Sequence, residues 1–260
     1  MPINEGQNVL IIADNNAGRR KLYLFKVSSK QSYSTFLGNI QGKEILERNF
    51  GEFIQLGKGK IYLIEPSLYD IIMYELKRKS QVIYPKDSGY IASVSGIRNG
   101  MKVMEAGIGS GFLTIEILRH ICPDGKLYAY EIRQDMIEIA MKNLEKTGFT
   151  NCVTINNQDV REGINEKDFD ATFLDMADPW NALNKIHDSL KTSSPVIVFV
   201  PTVNQIEKVL SNVDMNKYVI QEISELIKRE WEPRKEAIRP SIRTIGHTGF
   251  IILLRTLKAI

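Results

Sequence analysis

Three acids in this 260-residue chain stand just past short apolar runs: Glu131 after Lys126–Tyr130, Asp159 after Val153–Asn156 and Asp175 after Asp170–Leu174. A fourth, Glu105, lies in the run Met101–Ala106, which leads into a loop with glycines at 107, 109 and 111. Glycines let a backbone turn tightly and approach a ligand closely, because no Cβ intervenes. An apolar helix pattern, Phe112–Ile121, follows at once. Its first turn aims unpaired N–H groups and a partial positive charge at the loop. Strand, glycine loop and helix in that order open a nucleotide-type site in an open α/β sheet, and acids beyond the strand ends lie on the ligand edge of such a sheet. Glu131 falls about 20 residues past the last loop glycine, where a carboxylate can accept two hydrogen bonds from ribose hydroxyls. Asp159 is placed to receive an adenine amino group.

The loop spacing excludes the dinucleotide fingerprint, which needs Gly-x-Gly-x-x-Gly, because position 112 is Phe. Gly-x-Gly-x-Gly preceded by an acid is the loop that lies against the amino-acid part of S-adenosylmethionine in Rossmann-like enzymes.

The elements that must hold these residues alternate between 101 and 213. Strands are expected at 101–106, 126–131, 152–156, 169–174 and 195–200, and helices at 112–121, 134–147, 181–190 and 203–212. Such alternation predicts a parallel sheet with helices on both faces. Tyr218–Leu226 and Gly249–Leu254 are strand-like without a helix between them, which predicts a terminal antiparallel hairpin. Val9–Ala13, Lys21–Lys26, Phe53–Leu56 and Lys60–Ile64 are short strand runs separated by turn residues. We therefore expect a small β-rich domain over 1–65 and the α/β domain over 66–260. Helices are expected at Leu68–Lys77 and Ser88–Ser95.

Composition bounds the function. The net charge is +3, so nucleic-acid binding needs a local patch rather than a polycation. The two cysteines form no Cys-x-x-Cys pair and the three histidines are scattered, so no metal site is legible. No signal pattern and no membrane-length apolar run is present, and a cytoplasmic protein is expected.

At Leu174-Asp-Met-Ala-Asp-Pro-Trp180 the sequence resembles the tRNA (adenine-58-N1)-methyltransferase family. Gln81-Val-Ile-Tyr-Pro-Lys-Asp87, Glu105–Gly111, Tyr130-Glu-Ile-Arg133, Arg229-Glu-Trp231, Arg239-Pro240 and His247-Thr-Gly-Phe250 carry the same likeness. The resemblance implies a Rossmann-like class I methyltransferase sheet behind a small N-terminal β domain, S-adenosyl-L-methionine as cofactor, tRNA as partner and a homotetramer. It implies that Gly107, Gly109, Ser110 and Gly111 line the methionine part of the cofactor. Glu131 would hold the ribose with Arg133 beside it, and Asp159 and Val160 would bracket the adenine. Gln81 and Tyr84 would close over the site, and Asp175 matches the catalytic acid. Phe199 stands where bacterial relatives often carry Tyr, leaving stacking without a hydroxyl.

Methyl transfer from a sulfonium has a neutral leaving group, so alignment and desolvation dominate. Adenine N1 needs no deprotonation. A carboxylate accepting from N6 orients the ring and stabilises the charge that develops, a role open to Asp175. Its competing role is to cap the helix expected at 181–190, for which Asp178 is the better placed. Tyr84 and Phe199 are candidate stacking surfaces for a target base swung out of the RNA, or else core aromatics. Lys228, Arg229, Arg234, Lys235, Arg239 and Arg243 form the best candidate for gripping RNA phosphates, or a solvated hairpin flank. Arg19-Arg20-Lys21 is a weaker basic cluster. The alternatives are a non-catalytic tRNA-binding partner subunit and a small-molecule or protein methyltransferase on the same fold.

Overall fold

The computed structural model describes residues 1–79, 81–233 and 237–258. Arg234 and Lys235 of the basic stretch lie outside them. The chain forms two compact units, Met1–Leu76 with Arg229–Thr244, and Lys77–Lys228 with Ile245–Ile260.

The first unit contains β1 (Asn8–Asp14), β2 (Arg20–Lys26), β3 (Ser32–Thr35), β4 (Gly38–Gln41), α1 (Gly42–Leu46), β5 (Phe53–Leu56), β6 (Gly59–Ile64) and α2 (Leu68–Tyr74). β2-β1-β6-β5 form an antiparallel sheet and β3-β4 a separate hairpin. Alternation along β1 sends Val9, Ile11 and Ala13 into a core with Ile40, Ile45, Ile61 and Leu63. Ser67 and Asp70 close a capping box at the start of α2. This helix packs on β2, so the compact unit runs past residue 65 to Leu76.

The second unit carries α3 (Pro85–Ser95), β7 (Lys102–Ala106), α4 (Phe112–Ile121), β8 (Lys126–Tyr130), α5 (Gln134–Leu144), β9 (Val153–Asn156), β10 (Ala171–Leu174), α6 (Trp180–Ile186), β11 (Pro195–Val200), α7 (Val203–Asn212) and β12 (Tyr218–Ser224). A short ribbon, β13 (Trp231–Glu232) and β14 (Arg239–Pro240), belongs to the first unit and precedes β15 (Phe250–Thr256) of the second. The large sheet has the order β12-β15-β11-β10-β7-β8-β9. β9, β8, β7, β10 and β11 are parallel, while β15 is antiparallel to both of its neighbours. Every residue of β10 and β11 is buried, as parallel strands covered on both faces require. Met104 and Ala106 pack with Ala182, Leu183 and Ile186 of α6 and Val209 of α7. Val103 and Glu105 alternate to the opposite face.

Three expected helices are shorter than their patterns, the first being α2, which stops at Tyr74 rather than 77. α5 stops at Leu144 rather than 147, where the Thr147 hydroxyl turns back onto the Leu144 carbonyl at 2.8 Å. α6 stops at Ile186 and passes into a 3-10 turn, His187–Ser189. Cys122, at the end of α4, and Cys152, ahead of β9, form a disulfide with Cα atoms 6.0 Å apart, and their 30-residue separation carries no sequence signal. Among the described residues no helix is long and apolar enough to cross a membrane, and no cluster of His, Cys, Asp or Glu could hold a metal ion.

Candidate active site

β7 is the central turning point of the topology. The chain leaves it toward β8 and β9 and returns on its other side as β10. The loops after β7 and β10 therefore diverge at a topological switch point, where open α/β sheets bind ligands. A cavity of about 390 Å³ opens there, lined by Gly107, Gly109, Glu131, Arg133, Asp159, Val160, Arg161, Asp175 and Asp178 among others.

The two loops touch. Asp175 N donates to the Ala106 carbonyl at 2.9 Å, and Gly107 N to the Tyr130 carbonyl at 2.9 Å. Gly107 has φ 85°, and a Cβ built there would lie 1.9 Å from the Asp175 carbonyl oxygen. Conformation and space both demand glycine. Gly109 N donates to Glu131 Oε2 at 3.2 Å, and Arg133 N to Glu131 Oε1 at 2.9 Å. Each Glu131 oxygen thus keeps a lone pair for a ligand. The Arg133 guanidinium is held by Asp135 at 2.9 Å, which also accepts from Lys79. These two cations hold the Asp135 carboxyl well below the usual range, Arg133 contributing first.

Asp175 opens partly onto the cavity but is otherwise enclosed by protein. Burial, and then the negative charge of Glu131, push its pKa up to about 7. Glu105 is fully buried, and its pKa is raised well above normal by burial, then by Asp175 and Glu131. Its two oxygens and the nearby Thr114 hydroxyl make no hydrogen bond of good geometry. The cavity's two arginines are occupied, Arg133 by Asp135 and Arg161 by Asp159 and Asp178. Glu131 and Asp175 therefore line the cavity together, and the buried Glu105 is near enough to both for their charges to raise its pKa. That arrangement suits a cationic ligand carrying ribose hydroxyls and opposes a pyrophosphate, so the donor set fits S-adenosylmethionine.

The other sequence candidates lie off the cavity wall. Ser110 is buried. Its hydroxyl accepts from Lys79 N at 3.2 Å, and its carbonyl accepts from Asn143 Nδ2 at 2.9 Å. Gly111 caps α4. Gln81 donates to the Thr248 carbonyl at 3.2 Å, and Tyr84 caps α3 with Arg78 5.6 Å from its ring centre. Phe199 is buried against Gly249, where a Cβ would meet the ring at 2.2 Å. It packs as core in this structure. Asp178 does not cap α6. Pro179 occupies the cap without a side-chain bond, and Asp178 accepts from Arg161 instead. Sequence reasoning missed Arg161 and the buried Asn143, which also brackets Lys77 through its N–H and carbonyl. Asn143 had one signal, a polar side chain on the apolar side of α5 beside Met136, Ala140 and Leu144.

A stability test follows from Asp175. Its folded pKa lies above the unfolded value of about 4, so its stabilising protonation is complete below about 4 and lost as pH rises through about 7. From about pH 5 to about 8.5, Tm of the ligand-free protein should fall further than Tm of Asp175→Asn. Equal slopes in a calorimetric series would mean that Asp175 titrates as an ordinary carboxyl.

Comparison with known proteins agrees with this geometry. Residues 59–248 match the family model described as tRNA methyltransferase complex GCD14 subunit. The chain is 33% identical to the tRNA (adenine(57)-N(1)/adenine(58)-N(1))-methyltransferase TrmI of Methanocaldococcus jannaschii, over 91% of this chain and 92% of that one. The crystal structure of tRNA (m1A58) methyltransferase TrmI from Aquifex aeolicus superposes with a TM-score of 0.89 at 30% identity, covering 99% of this chain and 100% of that one. A Thermotoga maritima structure described as a SAM-dependent O-methyltransferase gives a TM-score of 0.89 at 32% identity, covering 98% and 95%. The sheet is that of the S-adenosylmethionine-dependent methyltransferases, and the chain belongs to the tRNA methyltransferase family defined by the GCD14 subunit.

Proposed function

We propose that the protein transfers a methyl group from S-adenosylmethionine to N1 of adenine 58 in the T-loop of tRNA. The observation that carries the reading is Asp175. An acid of raised pKa stands at the switch point, on a loop in contact with Gly107 and across from Glu131. When bound, S-adenosylmethionine supplies a methyl group on a sulfonium. Glu131 would hold its ribose hydroxyls, Gly107 and Gly109 its amino-acid end, and Asp159 and Val160 its adenine. Asp175, ionised beside a cationic ligand, would accept from N6 of the target base and stabilise charge developing on the ring. Gln81 and Tyr84 would close over the cavity from the loop ahead of α3. We further propose a cytoplasmic homotetramer, for which light scattering should give four times the chain mass.

The intact glycine loop, Glu131 and Asp175 argue against a non-catalytic partner subunit. The M. jannaschii relative is named for adenine 57 as well as 58, and that favours testing both positions here. Unmodified tRNA transcript, labelled cofactor and mapping of the methylated base by reverse-transcription stops form the test. A stop at adenine 58 is expected, and it should disappear in a transcript that carries guanine at that position. No incorporation into tRNA, or methylation of a small acceptor instead, would overturn the reading.

The basic stretch supplies a separate test. Arg239 pairs with Glu232 at 3.0 Å, a surface pair easily exchanged for a phosphate. Replacing Arg234, Lys235 and Arg239 by Ala should weaken tRNA binding and reduce the slope of log K against log salt, by about 0.7 for each phosphate no longer neutralised. Cofactor affinity should stay constant. An unaltered slope would return the stretch to a solvated flank.

A further inference from the structure

The role that Asp178 takes in place of a helix cap leads to Arg161. Arg161 sits in the 3-10 turn Val160–Glu162, between β9 and β10. Its Nε reaches both Asp159 oxygens at 2.9 and 3.0 Å, and its Nη2 reaches Asp159 Oδ2 at 2.6 Å. On its other edge Nη1 reaches both Asp178 oxygens at 2.8 and 2.7 Å. Arg161 N also donates to Asp159 Oδ1 at 2.9 Å, and the Arg161 carbonyl accepts from Lys185 Nζ of α6 at 2.6 Å. The three charged side chains are about one-fifth to one-third exposed, so the fork is shielded on several sides.

Asp178 stands three residues past Asp175 on the loop between β10 and α6. That loop is also held by Asn181 Nδ2 on Asp178 at 2.8 Å and by Gln205 Nε2 on the Ala177 carbonyl at 3.3 Å. A planar guanidinium that engages two carboxylates along different edges fixes both in distance and angle, as a flexible ammonium cannot. Asp159, Val160 and Asp175 all line the cavity. The geometry points to Arg161 as a positioning residue: it clamps the Asp175 loop, through Asp178, to the wall that would face the cofactor's adenine. This rests on the proposed function for its effect on rate, but the clamp itself can be measured without turnover.

Trp180 directly follows Pro179 at the end of the clamped loop, and the only other tryptophan is Trp231. In a Trp231→Phe background, acrylamide quenching of ligand-free protein therefore reports Trp180 alone. Arg161→Ala and Asp178→Asn should each raise the quenching constant about twofold. At saturating cofactor and tRNA, each should lower the single-turnover rate about tenfold or more, with KM for tRNA changing less than threefold. The double variant should be no slower than Arg161→Ala, since both remove one link. Millimolar guanidinium should restore part of the Arg161→Ala rate and none of the Asp178→Asn rate. Arg161→Lys keeps the charge and loses the fork, so it should stay near the Ala variant. It carries the test if Ala fails to fold. Unchanged quenching, full activity in Arg161→Lys, or multiplicative losses in the double variant would each overturn the clamp. A wild-type protein inactive on tRNA would overturn the functional reading alone, leaving the quenching result to decide the clamp.

Discussion

Asp175→Ala is expected to lower the single-turnover rate of methyl transfer by about 10²–10³-fold at saturating cofactor, the scale on which one preorganised stabilising group acts. The carboxylate gains value only as charge develops on the base, so the loss falls on the chemical step and tRNA binding changes far less. Cofactor affinity falls as well, because the same carboxylate offsets a cationic ligand, which is why saturation matters. The raised pKa of Asp175 adds a directional check. A bound cation favours the ionised acid and lowers that pKa, so cofactor binding should tighten as pH rises through about 7, with Asp175→Asn losing the effect. Asparagine also separates charge from orientation, since its amide oxygen still accepts from N6. A near-normal rate in Asp175→Ala would transfer the role to Asp178.

Glu131→Ala should weaken cofactor binding by about 1.5–3 kcal/mol, or roughly 10- to 150-fold in Kd, the worth of hydrogen bonds to a charged group. Truncation also strips the Gly109 and Arg133 N–H groups of their acceptor, so the loop loses an internal tie together with its hold on the ligand. Glu131→Gln retains an acceptor and should lose less. Because Glu131 helps to raise the Asp175 pKa, both variants should shift the ligand-free titration of Asp175 downward. Calorimetry with S-adenosylhomocysteine measures the affinity, and undiminished binding in Glu131→Ala would remove this residue from the site. Tight binding of NAD to the wild type would contradict the charge argument as a whole.

The centre of the sheet was legible because β10 and β11 are buried on both faces and read as apolar runs. Pro195–Val200 was bounded to the residue, and Val153–Asn156 to within one. α4 and α7 follow their apolar period end to end. The acids past β8 and β10 could be placed because the ligand edge follows from strand direction alone. What escaped lacked local pattern or depended on distant partners. β3 and β4 are four-residue strands rich in Ser, Thr, Gly and Asn, with almost nothing to alternate. Asp178 read as a cap because its sequence neighbours are helical, yet its carboxylate is taken by an arginine 17 positions earlier. The same distance hid Arg161. Phe199 was offered as a stacking surface or a core aromatic from its position in the family alone, and side-chain exposure is not written in such a position.

The position of β15 bears on how the molecule comes into being. β12 is synthesised well before β15, yet among the described residues β15 is its sole neighbour in the sheet and separates it from β11. On a ribosome, the nascent chain therefore presents β11 with an unpaired, fully apolar edge and β12 with no template, until Phe250–Thr256 emerges and fills the gap between them. Such an edge is open to pairing with other chains. Closure of this half of the sheet must wait for a strand that arrives late, and chaperone protection during that interval would act on β11 above all.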